Sequence, residues 1–551
     1  MISIYTTIPL VAGRWLRNDT KERELRHIDF DFDALCQKVL SLSGSHSIAD
    51  CEKIEGGSNR VFKFTFNDSR RLIVKLPFKV AGPAHLTTAS EFREIHLFPF
   101  PRSSRSADEK NESRTEYIIM EHAGGIPGGD KWPSMTLMQR IGFIEAVYKQ
   151  LKTVHDLGFP AYGSIYFENG LMKPLYPTQP LKDGFCIGPH CGPRWWDCGR
   201  GTFYNQYKWI NRGPWPDVVA YSNAVIDAGL AKLPLTDPDP QSLDRALPFY
   251  QGSVETHVQL LEHARIVLTQ MANDMKVKFR SDPMLFHPDR HLRNIFVLDE
   301  DPTVITGIID WQSASIEPAF VYASNTPDFV SQRMSTAVEI TPHPKGDSPI
   351  CDSKTGSESA STEKAVSSTE EVESKPESDP NIEEADKLSE QLHRTMDTCM
   401  TLYTPKIGIP RAMHINFFRP FRISDDSWDD GAIKLQHELI QLRKEWNWLG
   451  LSGDCSYPEQ TEEFLTTHSK RYDLYKQVAS IRGVLAEQLG VAADGWAPTE
   501  HWELRQQAHK AVYKDLVKTV LEQDPDTEED PEDSIKTEDD VKSVWPFDIP
   551  V

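Results

Sequence analysis

Two acidic residues and one amide stand out because each lies directly beside a short apolar run. Asp289 and Asn294 lie between the apolar pairs Leu285–Phe286 and Ile295–Phe296, and Asp310 follows two isoleucines. Short apolar runs predict buried strands, so we expect these polar residues at strand ends that face a cleft. An unrelated loop would need both the spacing and the apolar flanks to be coincidental.

Phosphoryl transfer is the chemistry that these three residue types fit. The reaction needs positioning and neutralisation of charge more than covalent help from the protein. A carboxylate must orient the attacking hydroxyl group and accept its proton, and we expect Asp289 to be this catalytic base. Magnesium prefers oxygen ligands, which Asn294 and Asp310 supply. The expected cofactors are therefore ATP and Mg²⁺.

A second group of residues, upstream, could hold the nucleotide. Lys75 lies on a predicted strand and is expected to bind the α- and β-phosphates. Glu91 is expected to hold the lysine ammonium group in place, with Glu94, one helical turn further on, as the alternative. We also expect Glu121 and His122, at the end of a short apolar strand, to lie beside the nucleotide.

A glycine-containing turn could let the backbone approach the phosphates. It comprises Gly56, Gly57, Ser58 and Asn59, directly before a predicted strand. Glycine has no side chain, so a ligand can come close to its backbone. A Gly-Gly pair is also typical of an ordinary turn, and the nucleotide interpretation therefore depends on the residues that follow it.

The elements that must position these residues form a strand-rich front and a helical back. Alternating residues predict a strand at Val61–Phe66, and the turn after it predicts a returning strand at Arg71–Leu76. A short apolar run predicts a third, buried strand at Tyr117–His122. Apolar residues at helical spacing predict helices at Leu137–Leu151 and Val254–Met275. We therefore expect an α+β fold with a small β-rich lobe and a larger helical lobe.

One sequence motif resembles known phosphotransferases. The motif is His287-x-Asp289-x-x-x-x-Asn294 with Asp310 further along, and it is similar to that of the aminoglycoside phosphotransferase and choline kinase families. The chain resembles the fungal altered inheritance of mitochondria protein 9 family more closely. The segments that carry this resemblance are Gly13–Asn18, Phe30–Cys36, Glu55–Phe62, Ala81–Pro83 and Phe286–Phe320.

The resemblance implies a protein-kinase-like fold with ATP and Mg²⁺ between two lobes. In these families the aspartate that matches Asp289 is the catalytic base, and the residues that match Asn294 and Asp310 bind metal. The resemblance also implies a small hydroxyl compound as the phosphate acceptor and a mitochondrial location. The alternative location is the cytoplasm, because Met1–Arg17 also fits an ordinary leading segment.

One segment departs from the family pattern. Between Glu91 and Tyr117 the family has a helix and a further strand, but here Pro99, Pro101 and the polar run 102–110 fit neither. Proline ends a helix because it lacks the N–H group and clashes with the preceding turn. The sequence therefore predicts a poorly anchored Glu91, a mobile segment from 102 to 114 and weak binding of ATP.

Acidic residues are concentrated in two segments of the chain. The net charge is -22, and residues 346–390 and 523–540 each contribute -9. The remainder is nearly neutral, with no basic stripe that would favour nucleic acid. No apolar run approaches the roughly 18 residues that predict a membrane span. The sequence leaves the oligomeric state open.

Composition and periodicity together divide the chain into six parts. Residues 346–390 contain no aromatic residue and are rich in Ser, Glu, Pro and Thr, which predicts disorder, and the acidic tail shows the same signature. The predicted parts are an N-terminal segment (1–29), the nucleotide-binding lobe (30–122), the helical lobe with the catalytic and metal loops (123–345), a disordered acidic insertion (346–390), a helical continuation (391–522) and an acidic tail (523–551).

A zinc site is an alternative interpretation of a group of cysteines and one histidine. Cys186, His190, Cys191 and Cys198 lie close together, but they lack the paired C-x-x-C spacing of a zinc knuckle. A loop packed beside the cleft explains the nearby tryptophans better.

Two other functions compete with phosphotransfer. A nucleotide-binding pseudokinase that acts as a scaffold is favoured by the altered segment after Glu91 and opposed by the complete set of polar residues. A pure interaction protein, whose acidic insertion binds a partner, leaves Asp289, Asn294 and Asp310 unexplained.

Overall fold

The computed structural model describes residues 13–97, 103–106, 113–168, 171, 176–203, 210–237, 252–331, 380–522 and 536–550. The backbone alone is described for residues 92–97, 103–106, 331 and 380–383.

The first part of the chain forms a small lobe around an antiparallel sheet. Its elements are β1 (Gly13–Trp15), α1 (Asp19–Leu25), α2 (Phe32–Ser43), β2 (Ile48–Glu55), β3 (Asn59–Phe66), β4 (Arg71–Pro77), α3 (Ala84–Leu97), β5 (Ser103–Ser106) and β6 (Tyr117–Glu121).

The five-stranded sheet of this lobe has the order β2-β3-β4-β6-β5. Leu35 of α2 is packed in one cluster with Phe62, Phe64 and Val74. Side chains alternate across a strand, so Lys75, next to Val74, lies on the opposite side of the sheet, where α3 packs. The three predicted strands are confirmed.

Helix α3 corrects the prediction that Glu91 would be poorly anchored. The helix has 14 residues and begins at Ala84, so Glu91 lies in its middle and not at its start. Leu86 and Ala89 are buried in a cluster with Tyr166 of the helical lobe. The prediction was wrong because it considered only the residues after Glu91. The described part of the helix extends to Leu97, and Pro99 and Pro101 lie outside the described residues.

The segment after α3 also differs from the prediction. Residues Ser103–Ser106 form β5, which pairs antiparallel with β6, whereas the sequence indicated neither helix nor strand. Pairing with a buried neighbouring strand overrides the weak strand propensity of a Ser/Arg run. The rest of the predicted mobile segment, apart from 113 and 114, lies outside the described residues.

The larger lobe follows directly. Its first elements are β7 (Ile126–Pro127), α4 (Gly128–Lys131), α5 (Leu137–His155), β8 (Ser164–Phe167), β9 (Gln179–Pro180), β10 (Phe185–Gly188), α6 (Val218–Ala231), α7 (Val254–Asn273), α8 (Met275–Lys278), β11 (Pro283–Phe286), β12 (Ile295–Val297), β13 (Ile305–Ile308), β14 (Ser315–Pro318) and α9 (Asp328–Ser331).

Its later elements are mostly helices. They are α10 (Pro380–Tyr403), α11 (Pro405–Arg411), α12 (Arg419–Ile423), α13 (Ser427–Asp430), α14 (Ala432–Leu449), α15 (Glu462–Leu489), β15 (Trp496–Pro498), α16 (Trp502–Leu521) and α17 (Glu538–Val544). One large core joins α5, α6, α7 and α14 through residues such as Leu151, Tyr221, Leu261 and Leu439. The expected α+β arrangement, with a small lobe built on a sheet and a larger helical lobe, is confirmed.

Two predicted boundaries are wrong. Helix α10 begins at Pro380, inside the segment predicted to be a disordered insertion up to 390, because Leu392 and Met396 further along this helix are buried in the large core. The acidic tail is ordered over 536–550, since Val541, Trp545 and Phe547 pack in a cluster with α15 and α16. Both predictions were based on acidic composition and did not take account of these buried apolar residues.

The N-terminal segment packs beside this ordered tail. Strand β1 pairs with β15, and the backbone N–H of Asp548 donates to the carbonyl of Leu16 at 3.0 Å. Across the described residues, none of the helices is long and apolar enough to cross a membrane.

Candidate active site

Two short antiparallel ladders bring the predicted catalytic residues together. Strand β11 pairs with β14, and β12 pairs with β13. The loop that carries Asp289 and Asn294 joins β11 to β12, while the loop that carries Asp310 joins β13 to β14. Both loops therefore leave the ladders at the same end, as the apolar flanks in the sequence suggested.

His287 fixes these two loops to each other. Its Nε2 lies 2.8 Å from the carbonyl oxygen of Ile309, and its Nδ1 accepts from the backbone N–H of Asp289 at 3.1 Å. Burial lowers the pKa of His287 to about 4, so the ring is neutral near pH 7 and can both donate and accept. The residue therefore positions the loop that carries Asp289.

Asp289 is surrounded by three donors. His291 Nε2 lies 2.9 Å from one carboxylate oxygen, and Arg293 Nη2 donates to the other at 2.6 Å. The amide nitrogen of Asn294 also donates to that second oxygen, at 2.9 Å. These contacts hold the carboxylate in one orientation.

Charge keeps Asp289 ionised. Burial raises the pKa of its carboxyl, but the hydrogen bond from His291 and the charge of Arg293 outweigh burial and hold the pKa well below its usual range. The pKa of His291 is raised to about 9, first by its contact with Asp289 and then by Asp328. The pair is therefore a carboxylate and an imidazolium at neutral pH.

Asp328 is a site residue that the sequence analysis missed. One of its oxygens lies 3.3 Å from His291 Nδ1, and the other accepts from the backbone N–H of Leu292 at 3.1 Å. It sits at the start of α9, far from the motif in sequence. The spacing of the motif therefore contains no signal for it.

Lys75 lies between two carboxylates, one from each lobe. Its Nζ donates to Glu91 Oε1 at 2.6 Å and also contacts Asp310 Oδ1. Glu91, the first of the two expected partners, is confirmed as a partner of Lys75. Asp310 has a φ of 64°, a backbone conformation that few residues other than glycine adopt. Such strain is typical of a residue whose side-chain direction matters.

Burial and charge act in opposite directions at this pair. Burial lowers the pKa of Lys75, but the charges of Asp310 and Glu91 outweigh burial and leave it raised, so the lysine is an ammonium group. Burial raises the pKa of Glu91 to about 7, against the opposing effect of Lys75. Because each partner depends on the other, removing either one would leave a buried charge without compensation.

The glycine turn is the tip of the β2–β3 hairpin. The backbone N–H of Gly56 donates to the carbonyl of Asn59 at 3.0 Å, while Ser58 accepts from the N–H of Phe78. A Cβ atom at Gly57 would meet no atom within 4 Å, and φ is not positive at Gly56 or Gly57. Neither packing nor backbone conformation thus explains the two glycines.

The side-chain amide of Asn59 forms a hydrogen bond with a residue of the large lobe. Its Nδ2 donates to Gln312 Oε1 at 3.1 Å, and the two side chains are buried. Gln312 Nε2 in turn lies 3.4 Å from the carbonyl of Ser58. The turn is therefore tied to the segment that follows Asp310, a contact that sequence reasoning missed.

Glu121 and His122 lie where the lobes join, away from Lys75 along the sheet. His122 donates its backbone N–H to the carbonyl of Arg71, and its ring packs edge-on against Phe296. The sheet register places Glu121 opposite Leu72, three positions before Lys75. They line a cavity together with the β3–β4 turn, and neither Lys75 nor Asp310 lines that cavity.

The structure does not support the zinc alternative. His190 Nε2 lies 2.6 Å from Glu317, and its Nδ1 accepts from the N–H of Gly192 at 3.0 Å, so both ring nitrogens are engaged. Cys191 contacts Ser164, and Cys198 contacts the carbonyl of Pro193. Over the described part of the chain, no three His, Cys, Asp or Glu residues form a group suited to a metal ion.

Asn294 and Asp310 are chemically suited to magnesium. The amide nitrogen of Asn294 is committed to Asp289, which leaves its amide oxygen as the atom that could coordinate a cation. Asp310 contributes a partly exposed carboxylate. Both are hard oxygen donors of the kind that Mg²⁺ prefers.

The chain has relatives among fungal proteins. It is 28% identical over 306 residues to a subtelomeric hrmA-associated cluster protein of Aspergillus fumigatus, covering 49% of this chain and 58% of that protein. It is 22% identical over 385 residues to altered inheritance of mitochondria protein 9, mitochondrial, of Candida albicans, covering 58% of this chain and 60% of that protein. Less than two thirds of the length of these relatives is therefore matched.

Solved structures give a weaker likeness. An aminoglycoside phosphotransferase, APH(4)-Ia, in complex with ADP and hygromycin B is 12% identical, with a TM-score of 0.34 and coverage of 76% of this chain and 97% of that one. A streptomycin–ATP complex of APH(2")-IIa is 13% identical, with a TM-score of 0.28 and coverage of 52% and 74%. At these scores the likeness carries no argument.

No family model matches the chain. The expected resemblance to altered inheritance of mitochondria protein 9 is confirmed by the curated relatives from Candida albicans and Yarrowia lipolytica, the latter 23% identical over 360 residues and covering 58% of this chain and 59% of that protein.

Proposed function

We propose that the chain is an ATP-dependent phosphotransferase that moves the γ-phosphate to a hydroxyl group of a small acceptor. The observation that carries the proposal is the convergence of Lys75, Glu91 and Asp310 across the two lobes, beside a loop that fixes Asp289. Phosphoryl transfer requires these components: a cation for the phosphates, oxygen ligands for a metal and a carboxylate for the hydroxyl group.

Each residue has a definite task in this proposal. Lys75, held by Glu91, binds phosphate oxygens, and the glycine turn at Gly56 and Gly57 brings backbone close to them. Asp289 accepts a hydrogen bond from the acceptor hydroxyl group, orients it toward the phosphate and takes its proton as the new bond forms. Asn294 and Asp310 hold Mg²⁺, which neutralises phosphate charge when it is bound.

Asp289 acts more by orientation than by basicity. A carboxylate whose pKa is well below its usual range is a weak base, but it stays ionised and accepts hydrogen bonds. This suits a loose transition state, in which little proton transfer is needed before the phosphate leaves ATP. His291 and Arg293 would have to leave one carboxylate oxygen accessible to the acceptor.

A scaffold function is the second candidate. It is favoured because the charged groups of the site already pair with one another. Lys75 forms an ion pair with Asp310, and Arg293 forms one with Asp289. A pseudokinase would bind nucleotide without transferring phosphate. Calorimetric titration of Mg·ATP, followed by measurement of ATP turnover, separates the two: binding with turnover supports the enzyme, and binding without turnover in any acceptor mixture supports the scaffold.

We further propose a mitochondrial location. The support is that the relatives from Candida albicans and Yarrowia lipolytica are named as mitochondrial proteins. Imaging of the protein with a C-terminal tag tests this: the tag should coincide with a mitochondrial dye, and a diffuse cytosolic signal would contradict the proposal.

A further inference from the structure

A groove lies on the large lobe, beside the loop that leads to Asp328. It consists of two adjoining cavities of about 300 and about 420 Å³, which share Ile415, Arg419 and Arg422. The smaller cavity reaches Ser324 of that loop, and the larger one reaches Tyr472 on α15. Volumes of this size are typical of sites for small molecules.

Arg422 lacks a carboxylate partner within the part of the chain that the structure describes. Its Nη1 donates to Ser324 Oγ, and its Nη2 donates to Asn325 Oδ1 at 3.0 Å, so both contacts are to neutral groups. Burial lowers the pKa of this guanidinium, and the charges of Arg194 and Arg419 lower it further. The groove therefore concentrates positive charge that an anion would relieve.

The carboxylates that line the groove only partly offset this charge, since Asp397 is already paired with Arg411. Arg419 contacts Glu438 at 2.9 Å but retains 40% of its side-chain exposure. A guanidinium has five donors in a planar fork that matches an oxyanion, so two arginines in one groove offer more donors than Glu438 can satisfy. Charge-assisted hydrogen bonds of this kind are among the stronger polar contacts in proteins.

Aromatic side chains line both ends of the groove. Tyr472 and Tyr475 stack with their centroids 5.7 Å apart, and Phe320 stacks on Phe418 at 4.6 Å. These flat apolar surfaces can contact the carbon skeleton of a small molecule while the arginines bind its charge. The combination suits an organic anion better than a bare inorganic ion.

The groove is connected to the catalytic loop through one short segment. Arg422 holds Ser324 and Asn325, and Arg411 donates to the carbonyl of Ala323 at 3.1 Å. Three residues after Asn325, Asp328 contacts His291 and the N–H of Leu292. The wall of the groove and the support of the catalytic loop are thus parts of the same turn.

We propose that this groove binds a small organic anion that carries a phosphate or carboxylate group. Arg419 and Arg422 bind the charged group, and the aromatic side chains contact the carbon skeleton. The groove is a separate site from the proposed phosphotransfer site, since neither Lys75 nor Asp289 lines it.

The test is calorimetric titration of the full chain with inorganic phosphate and, separately, with citrate. Arg422→Gln and Arg419→Gln should each weaken binding of the preferred anion by about tenfold or more. Arg70→Gln is the charge-matched control, since Arg70 is exposed and paired with Asp68, and it should bind as the unmodified chain does. Lys75→Met, once circular dichroism shows that it is folded, should also retain anion binding, because Lys75 does not line the groove. The stronger of the two probes identifies phosphate or carboxylate as the preferred group.

Several results would overturn the proposal. The first is that neither anion binds to the unmodified chain. The second is that Arg422→Gln and Arg419→Gln bind the anion with unchanged affinity. The third is that folded Lys75→Met loses anion binding, which would place the anion in the nucleotide site. If Arg422→Gln fails to fold, Arg419→Gln and the charge-conserving Arg422→Lys carry the test. Titration of the same samples with Mg·ATP keeps the two proposals separate: nucleotide binding and turnover without anion binding contradict only the groove, and anion binding without nucleotide binding contradicts only the phosphotransferase.

Discussion

Asn59 and Gln312, which are 253 residues apart, join the two lobes through a buried hydrogen bond of 3.1 Å. The bond connects the glycine turn of the small lobe to the segment that follows Asp310 in the large lobe. This bond therefore fixes the glycine turn relative to the segment after Asp310. Asn59 and Gln312 can do so without contacting a ligand.

We expect Gln312→Ala to destabilise the protein by about 1–3 kcal/mol, because it leaves the buried amide of Asn59 without its acceptor. The melting temperature in a thermal scan measures this. In Asn59→Ala/Gln312→Ala both partners are absent, so the loss should be smaller than the sum of the two single losses. Strict additivity would mean that the bond does not couple the lobes.

Asp328 should support catalysis without binding the nucleotide. In Asp328→Ala the N–H of Leu292 and the ring of His291 lose their acceptor, so the catalytic loop is less firmly held. We expect turnover to fall by about 10- to 100-fold, with Mg·ATP affinity nearly unchanged in calorimetry. An equal loss of nucleotide affinity would assign Asp328 to the nucleotide site.

The ordered tail should contribute to stability. Trp545 is buried, and its Nε1 donates to His509 at 3.2 Å. Trp545→Ala should cost about 3–5 kcal/mol, the usual range for a large aromatic residue in a core. The control is Trp448→Ala, whose side chain is 71% exposed and whose loss should cost about 0.5 kcal/mol or less. Equal, small losses in both variants would mean that the tail does not pack.

A pair of histidines predicts how stability depends on pH. His437 Nδ1 lies 3.2 Å from His468 Nε2, and burial lowers the pKa of each ring to about 4 from an ordinary value of 6.5. The unfolded chain therefore binds protons at these rings first, and stability should fall as the pH drops from about 6.5 toward 4.

The comparison that isolates this effect is between the unmodified chain and His437→Gln. Melting temperatures measured at intervals from pH 7.5 to 4.5 should fall less steeply in the variant, which has one ring fewer to protonate. Parallel curves for the two proteins would show that the histidine pair is not responsible.

The sequence predicted the parts of the site whose signal is local. The turn after the alternating strand β3 predicted a returning strand that carries Lys75, and apolar flanks placed Asp289 and Asp310 at strand ends. It could not predict Asp328 or Gln312, whose partners lie 36 or more residues away and are brought near only by the packing of the lobes. The start of α3 at Ala84 was missed because only the residues after Glu91 were taken as support for the helix. The buried Trp545 was missed because the acidic run 523–540 precedes it.

The metal-binding assignment makes a separate prediction. Asp310→Ala should remove the Mg²⁺-dependent part of the thermal stabilisation by ATP, because the oxygen ligand is lost. The variant also frees Lys75 from one of its two carboxylates, so the melting temperature without nucleotide must be recorded alongside. ATP stabilisation with an unchanged dependence on Mg²⁺ would exclude Asp310 as a ligand.

The most direct test of the account is the turnover of Asp289→Asn measured together with its affinity for Mg·ATP. The substitution conserves shape, removes the negative charge and replaces one acceptor oxygen with an NH₂ donor. We therefore predict that turnover falls by roughly 10² to 10⁴ while Mg·ATP still raises the melting temperature as it does in the unmodified chain. Turnover equal to that of the unmodified chain would contradict the assignment of Asp289 as the catalytic base.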